Sequence, residues 1–355
     1  MANFNYSVKQ IARETLPHLI DNLVFPNLVY RDSIPGNAAK LGDTVSVRCP
    51  VRLTANEFDP DTGVTPENLQ KDTVDVKLDH LATVDMQVGA IEAACDFDSV
   101  VKMFIEPAAA ALAEKINAEG LALYRDIPTI AGTPGTTPDD LDDIAAAAYA
   151  LDIQKVPSER RCAVWSPLAA SKLKQVPAIV NADKCGSSTA LRTGSIGQVL
   201  GIENYMSQAV CVHTNDDAGT VTPDTRADLK HLSFTGGEEA KVGDILQIGS
   251  KYVPVTKVED GVIVFDKDVT IGENDTVAIL SGFSNNLIFH PNAFAFVTRP
   301  LQAPAGVESY VTSYNGIALR VVRGYDITYK REILSMDVLY AFKTIYPELA
   351  VRYLG

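Results

Sequence analysis

The densest group of side chains that could do chemistry in this chain is a run of four aspartates, Asp139, Asp140, Asp142 and Asp143. Clustered carboxylates bind calcium in loops that also contain a central glycine and a terminal bidentate glutamate. Both of those residues are absent here, whereas aspartates are common in the first turn of a helix, where they interact with its positive end. The run therefore predicts a helix over Asp139–Leu151 and no metal site.

A glycine-rich segment raises a second possibility, a phosphate-binding loop. Gly194, Gly197 and Gly201 lie in the sequence GSIGQVLG, at spacings that do not match a dinucleotide-binding turn. The lysine that contacts phosphate groups in nucleotide-binding loops is also missing. We interpret these three glycines as turn residues.

Cysteine and histidine occur singly along the chain. There is no CxxC, HExxH or GxSxG motif, and the odd number of cysteines indicates reduced thiols in a cytosol-like compartment. A cysteine and a histidine that meet only in the folded chain remain an open alternative. The sequence thus predicts no catalytic, cofactor-binding or metal-binding residues and no enzyme activity. The residues concerned are Cys49, Cys95, Cys162, Cys185, Cys211, His18, His80, His213, His231 and His290.

Composition restricts the partners of the chain. Its 355 residues carry a formal net charge of −14, which disfavours binding to the phosphate backbone of nucleic acids. No apolar run approaches the roughly 18 residues of a membrane-spanning helix, and the N-terminus lacks a signal-peptide pattern. We expect two or three structural units and no membrane attachment.

Alternating apolar residues predict a long β-hairpin near the start of the chain. Apolar side chains alternate over Val45–Leu53 and Val74–Leu78, on either side of the polar segment Thr54–Thr73, and the pattern repeats at Val84–Val88. A two-stranded hairpin has no sheet to cover its apolar face. We therefore expect this hairpin to lie on a neighbouring copy of the same protein.

Two longer segments are predicted to be helical. Residues 5–24 carry a loose apolar stripe that Pro17 interrupts, so a second short helix is expected to start there. This segment is either an extended arm or an ordinary helix packed on its own core. Pro107–Asp126 repeats apolar residues at steps of three and four, which predicts a helix about 30 Å long that opens at Pro107 after a break.

Short elements of both kinds follow in the middle of the chain. Arg161–Ser166 is apolar enough for a buried strand, with the single tryptophan, Trp165, in the core. Pro167–Leu173 predicts a helix, and the small polar residues 181–195 predict a mobile loop.

A further domain of β structure is predicted over residues 214–281. Thr214–Thr225 is rich in turn residues, and five short apolar runs separated by glycine-containing turns follow it. This punctuation is typical of a small β-barrel or sandwich. The runs are Leu232–Phe234, Ile245–Ile248, Tyr252–Val258, Val262–Phe265 and Val277–Leu280.

The end of the chain again alternates with a period of two. Ile317–Val321, Tyr325–Tyr329 and Val338–Phe342 predict three antiparallel strands, with a turn at Arg323 and Gly324. Such a sheet has one apolar face, which the long helix is expected to cover.

The order of these elements resembles the major capsid proteins of tailed bacteriophages with the HK97 fold. Several segments carry the resemblance, and the inserted β domain makes the chain most similar to the P22 coat-protein-like branch. Phe25–Asp32 with Gly42–Val45 is similar to the junction of arm and E-loop, Glu106–Ala113 to the start of the spine helix, Val156–Pro167 and Ile196–Ser207 to A-domain segments, and Asp337–Tyr340 with Pro347–Leu349 to the C-terminal strand.

The resemblance implies an α+β fold of the HK97-like capsid type. Its parts would be an N-terminal arm (1–42), an extended β-hairpin E-loop (43–92), a P-domain spine helix (93–130), a first A-domain part (131–213), an inserted small β-barrel domain (214–281), an A-domain return (282–315) and P-domain C-terminal strands (316–355).

For function, the resemblance implies a major capsid (coat) protein that self-assembles into the pentamers and hexamers of an icosahedral phage head. The implied partners are other copies of the chain, a scaffolding protein, a portal protein and packaged double-stranded DNA, held without base specificity on the inner face. The implied location is the virion, assembled in the host bacterial cytoplasm. The sequence offers no partner residue for a covalent crosslink from Lys71 or Lys77 to a neighbouring subunit, so no crosslink is predicted. An encapsulin-like compartment shell or another phage structural component is the alternative.

Overall fold

The computed structural model describes residues 7–31, 39–48, 73–88, 100–181, 192–216, 219–228, 231–235, 240–259, 262–264, 277–326 and 331–355. Helices and strands are mixed along these residues, which confirms the predicted α+β class. None of the helices within these ranges is long and apolar enough to span a membrane.

Six α-helices and four other helical segments are described. The α-helices are α1 (Val8–Asn22), α2 (Phe25–Leu28), α3 (Glu106–Leu121), α4 (Leu141–Ile153), α5 (Pro167–Leu173) and α6 (Pro177–Val180). A π-helical turn occupies Val101–Ile105, and 3-10 turns occupy Ala122–Asp126, Pro291–Ala293 and Pro347–Leu349.

The described strands number twenty-two. They are β1 (Tyr30–Arg31), β2 (Thr44–Arg48), β3 (Thr73–Lys77), β4 (His80–Val88), β5 (Ile130–Gly132), β6 (Arg161–Trp165), β7 (Gly197–Val199), β8 (Ile202–Met206), β9 (Val212–His213), β10 (Gly219–Asp228), β11 (His231–Thr235), β12 (Ile245–Ile248), β13 (Lys251–Pro254), β14 (Lys257–Glu259), β15 (Val262–Val264), β16 (Val277–Leu280), β17 (Phe283–Phe289), β18 (Phe294–Thr298), β19 (Glu308–Tyr314), β20 (Ile317–Asp326), β21 (Arg331–Thr344) and β22 (Ala350–Leu354).

The chain divides into two compact units. The first comprises Met1–Asn22, Tyr30–Ala113 and Ala295–Ile345, and the second comprises Leu23–Val29, Glu114–Phe294 and Tyr346–Gly355. Each unit is therefore built from segments that are distant in sequence. The seven finer boundaries expected from the sequence stay predictions.

The first unit contains a sheet in the order β1-β18-β21-β20-β19, with β4 also paired to β21. The N-terminal helix α1 packs on β19 and β20. The sequence predicted that the long helix α3 would cover the apolar face of this sheet, but α1 covers it instead. Val8, Ile11, Leu16 and Leu19 are buried on the packed side of α1. Residues 8–22 thus form a helix that packs on its own core, and the assignment of residues 1–42 to an N-terminal arm stays a prediction.

Two proline and glycine signals were misleading in this unit. Pro17 lies inside the continuous helix α1 and does not start a second one. Gly324 lies inside β20, opposite Ile333 of β21, so the turn predicted at Arg323 and Gly324 does not exist. In both cases the packing of a long amphipathic element outweighs a local preference.

The predicted hairpin is present, but its base is covered by the same chain. β2 and β3 pair antiparallel, with Thr44 opposite Lys77, while the tip, residues 49–72, lies outside the described residues. Val47 and Val76 are fully buried in a cluster with Ala295, Leu339 and other residues of β18 and β21. The inference that a neighbouring copy must cover the hairpin is therefore wrong for its base. The third alternating segment, β4, pairs with β21 of the large sheet.

The long helix begins where the sequence predicts, but without a break. The π-helical turn Val101–Ile105 runs directly into α3, and the backbone N–H of Glu106 donates to the carbonyl of Val101. A proline ring clashes with the carbonyl of the residue four positions earlier in a regular helix. The wider turn immediately before Pro107 relieves that clash and lets the helix continue.

The second unit contains a sheet in the order β5-β22-β17-β6-β8-β7, with β9 also paired to β17. The helix α4 packs on β5 and β22, at one end of this sheet, and the β7–β8 hairpin forms the other end. The predicted strand β6 and helix α5 are both present, and Trp165 is completely buried. Its indole N–H donates to Asn204 of β8 at 2.8 Å.

The inserted residues form a seven-stranded sheet in the order β13-β12-β16-β10-β11-β15-β14. Its two terminal strands, β13 and β14, are joined by only Val255 and Thr256, so the sheet curls back on itself. Strands from both ends share one core, which includes Leu246, Ile263 and Ile279. This curled sheet around a shared core is the kind of structure that the predicted small barrel or sandwich requires. The expected turn-rich break contains β10, and Tyr252–Val258 is two strands rather than one.

Candidate assembly surfaces

The aspartate run is a helix start. The Asp140 side chain accepts a hydrogen bond from the backbone N–H of Leu141 at 2.9 Å, and Asp143 accepts from the N–H of Asp140 at 3.1 Å. Together they form a capping box at the N-terminus of α4. Asp143 also accepts from the Tyr353 hydroxyl at 2.6 Å, which ties the helix to β22. Within the described ranges, no group of three or more His, Cys, Asp or Glu residues could hold a metal ion.

The glycine-rich segment forms a turn, as predicted. Gly197 begins β7, and the two residues Leu200 and Gly201 connect β7 to β8 with φ values of +50° and +80°. Two consecutive positive φ values define the tight hairpin turn that matches strand twist. Glycine adopts this conformation without strain, but leucine does not. The leucine at this turn is therefore unusual.

Two of the cysteines lie in described residues, and both are free thiols. Cys162 is buried on β6, and burial raises the pKa of its thiol to about 11, with a further contribution from the charge of Glu203. Burial also raises the pKa of Cys211. A raised pKa disfavours the thiolate, which is the nucleophilic form. Neither cysteine has the properties of a catalytic nucleophile. Cys49, Cys95 and Cys185 lie outside the described residues.

A buried polar network lies between the inserted β domain and the sheet of the second unit. The Tyr124 hydroxyl and His213 Nδ1 are 2.8 Å apart, and His213 Nε2 contacts a carboxylate oxygen of Asp244. The other Asp244 oxygen accepts from the side chain of Asn215 at 2.8 Å and from the backbone N–H of Lys241 at 2.6 Å. Each hydrogen-bonding atom of the carboxylate thus has a partner.

Arg352 of β22 is a fully buried cation of this network. Its guanidinium lies 4.7 Å from the centre of the Tyr124 ring, donates to Gly243 at 2.5 Å and contacts Asn285. Burial lowers the pKa of Arg352 to about 9, although the charges of Tyr124 and Asp244 act in the opposite direction. The arginine therefore carries its charge at neutral pH in a site that water does not reach.

The tyrosine, histidine and aspartate are arranged like a proton relay, but all three are buried. The exposed fractions of Tyr124, His213 and Asp244 are 2%, 6% and 0%. A substrate could not contact the hydroxyl without opening the domain junction, so the geometry favours a structural role. Sequence reasoning missed this network, because its members are separated by up to 228 positions and each is unremarkable in its local sequence.

Exposed apolar residues in the second unit include residues of α4 and of the β7–β8 hairpin. The helix patch is the outward face of α4, where Tyr149 and Ile153 are 67% and 63% exposed, one helical turn apart. The same face contains the exposed residues Ala145 and Ala146. Leu200, Tyr205 and Met206 of the β7–β8 hairpin are 56%, 37% and 43% exposed, with Tyr205 and Met206 on opposite faces of β8. Apolar groups of this kind often mark protein–protein contacts.

The first unit also has an exposed edge. In the described part of its sheet, β19 is the terminal strand, and Tyr314 at its end is 69% exposed. Tyr325 of the neighbouring β20 is 57% exposed. Edge strands present unpaired backbone groups to other chains. This edge is a further surface on which another molecule could dock.

Comparison with known proteins gives a structural match without a sequence match. No family model and no curated protein matches the chain. A solved structure from Mycobacterium phage Che8 is 19% identical, covers 93% of this chain and 90% of its own, and has a TM-score of 0.50.

Two further structures have lower scores. The capsid structure of the cyanophage P-SCSP1u is 13% identical over 93% of this chain and 87% of its own, with a TM-score of 0.46. The virus-like particle from Pyrococcus furiosus is 10% identical over 98% of both chains, with a TM-score of 0.43. The match to the Che8 structure, at 19% identity and a TM-score of 0.50, shows the HK97-like fold and nothing beyond the fold. The assignment to the P22-like branch stays a prediction.

Proposed function

We propose that this chain is the major capsid protein of a tailed bacteriophage and that its copies assemble into the pentamers and hexamers of an icosahedral head. The observation that carries the proposal is the fold match to the Mycobacterium phage Che8 structure, which extends over 93% of the chain. A match of this extent cannot be confined to one of the two compact units.

The physical features of the subunit are consistent with this role. Exposed apolar groups of modest size occur on several elements, and each gives a weak contact alone. A shell multiplies such contacts, because every subunit that joins makes several of them at once. The net charge of −14 keeps free subunits soluble and favours non-specific enclosure of DNA over tight binding to it.

The proposed partners follow from the role. They are other copies of the chain, a scaffolding protein that directs closure, a portal protein at one vertex and the packaged double-stranded DNA. The proposed location is the virion, with assembly in the cytoplasm of the bacterial host. No enzymatic step is part of this proposal.

Electron microscopy of the purified protein tests the proposal. The chain should form rings or closed particles of uniform diameter, and size-exclusion chromatography should give peaks far above the 38.2 kDa monomer. A protein that remains monomeric over the full range of accessible concentrations would overturn it. The contents of the purified particles distinguish the two alternatives. A phage head should hold DNA, whereas an encapsulin-like shell should hold a cargo protein.

A further inference from the structure

An asparagine, a lysine and an aspartate meet where the chain enters the inserted β domain. Asn215 lies between β9 and β10, whereas Lys241 and Asp244 flank the turn before β12. The Nζ of Lys241 donates to the side-chain oxygen of Asn215 at 3.2 Å, and the side-chain nitrogen of Asn215 donates to Asp244 at 2.8 Å. A primary amine therefore contacts one side of a carboxamide, and a carboxylate contacts the other.

The carboxamide and the carboxylate are held in place by their surroundings. The backbone N–H of Asn215 donates to the Ser281 hydroxyl at 2.7 Å. The Asp244 oxygen that accepts from Asn215 also accepts from the backbone N–H of Lys241 at 2.6 Å, and the other oxygen contacts His213. Only the flexible lysine side chain has to move for its nitrogen to reach the carboxamide carbon, so the reacting groups are already close to a productive arrangement.

Burial favours attack by the amine over attack by water. Asn215 and Asp244 are 5% and 0% exposed, so water has little access to the carboxamide. Lys241 is exposed, which lets its ammonium group release a proton to solvent. No substrate has to enter this buried site, because all three reacting groups belong to the chain itself.

From this geometry we infer that Lys241 and Asn215 become joined by an isopeptide bond within one chain. The neutral Nζ attacks the Cγ of Asn215, and a new C–N bond forms. Asp244 takes one proton from the attacking nitrogen and gives it to the Nδ2 of Asn215, and the bond between Cγ and Nδ2 breaks. The products are a secondary amide and one molecule of ammonia, so the reaction is balanced without an oxidant or a co-reactant.

The bond fixes the inserted domain to the segment by which the chain enters it. It joins residues 26 positions apart and closes a loop that contains β10 and β11. Closing a loop covalently restricts the unfolded chain and so stabilises the folded one. An amide also persists in a reducing compartment, where a disulfide does not. This inference goes beyond the proposed function, because the bond forms within each subunit and does not depend on assembly.

Intact-mass spectrometry of the purified chain measures the bond directly. The wild type should be lighter than its sequence mass by one molecule of ammonia. Lys241→Arg keeps a cation but has no primary amine, so this variant should have its full sequence mass. Lys257→Arg is the matched control, because Lys257 is exposed and pairs with Glu259, and this variant should still lose ammonia.

Digestion with trypsin locates the bond. Trypsin does not cleave after a lysine whose Nζ is acylated, so the wild type should give one branched peptide in which Thr193–Arg226 is joined to His231–Lys251. A succinimide at Asn215 also loses ammonia, but it leaves Lys241 cleavable and gives no branched peptide.

The role of the carboxylate has a test of its own. Asp244→Asn removes the proton carrier and keeps the size of the side chain, so bond formation should slow by about tenfold or more. The mass of newly synthesised protein, sampled over time, measures this rate. An equal rate in the wild type and in Asp244→Asn would overturn the role of the aspartate.

The masses of the wild type and of Lys241→Arg decide the inference even where Asp244→Asn fails to fold. A wild-type chain with its full sequence mass would overturn it. A loss of ammonia that persists in Lys241→Arg would overturn it as well. Neither result bears on the capsid proposal, which electron microscopy tests separately.

Discussion

Arg352 donates a hydrogen bond at 2.5 Å to the backbone carbonyl of Gly243, 109 residues earlier in the chain. The arginine belongs to β22, the last strand along the chain, and the glycine lies in the turn before β12 of the inserted domain. The same guanidinium lies over the Tyr124 ring, whose hydroxyl contacts His213. The inserted domain is therefore held by a buried polar junction in addition to its own core.

Replacing Arg352 with methionine should destabilise the second unit by about 1–3 kcal/mol, because the buried oxygens of Gly243 and Asn285 would lose their hydrogen-bond donor. Chemical denaturation followed by circular dichroism measures the loss. Arg192→Met, at an exposed position, is the matched control and should change stability by less than about 0.5 kcal/mol. Equal effects of the two substitutions would show that the junction contributes nothing.

Many of the helices and strands could be predicted from the sequence, but this junction could not. The strands Ile245–Ile248 and Val277–Leu280 and the helix Pro167–Leu173 begin and end at the predicted residues, because apolar period and turn residues act locally. The junction joins residues from five separate segments, so no local pattern indicates it. The strand β10 was missed for a related reason, since Pro223 and Asp224 have the preferences of turn residues and lie in a strand because that part of β10 pairs with β11.

The burial of Cys162 should make stability fall at alkaline pH. Its thiol has a pKa of about 11 in the folded chain against an ordinary value of 9.0, so the buried neutral form is favoured by folding. That contribution is fully present below pH 9 and is lost as the pH rises through about 11. Unfolding midpoints of the wild type and Cys162→Ala, measured from pH 8 to 11, should converge as the pH rises. A constant difference between them would contradict this assignment.

The capping box should stabilise α4 through Asp140. Asp140→Ala removes the acceptor for the first turn and should lower stability by about 0.5–2 kcal/mol. Asp142→Ala is the control, because this exposed aspartate of the first turn is not part of the capping box and interacts with the helix dipole alone, worth about 0.3–1 kcal/mol. Thermal unfolding should rank the two variants in that order, and the reverse order would be evidence against the cap.

Two ion pairs between β20 and β21 should contribute unequally to the stability of the fold. Asp337 is buried and accepts from Arg320 at 2.6 and 2.9 Å, so Asp337→Ala leaves a partly buried cation and should cost about 3–5 kcal/mol. The pair of Arg323 and Glu332, at 3.0 Å, is more exposed, and Glu332→Ala should cost less than about 1 kcal/mol. Urea titration of both variants measures the difference. Similar losses would mean that burial does not set the strength of these pairs.

Removal of the hairpin tip should separate folding from assembly. Ala55–Asp72 lie outside the described residues, but the base of the hairpin is packed on its own chain through Val47 and Val76. A variant in which an Asn-Gly turn replaces Ala55–Asp72 should keep the unfolding midpoint of the free subunit within the error of the wild type. It should nevertheless form no closed particles in electron micrographs, because the tip is the part of the hairpin left to reach a neighbour. Normal particles from a folded variant would show that the tip has no part in assembly. A variant that no longer folds would show instead that the base depends on the tip.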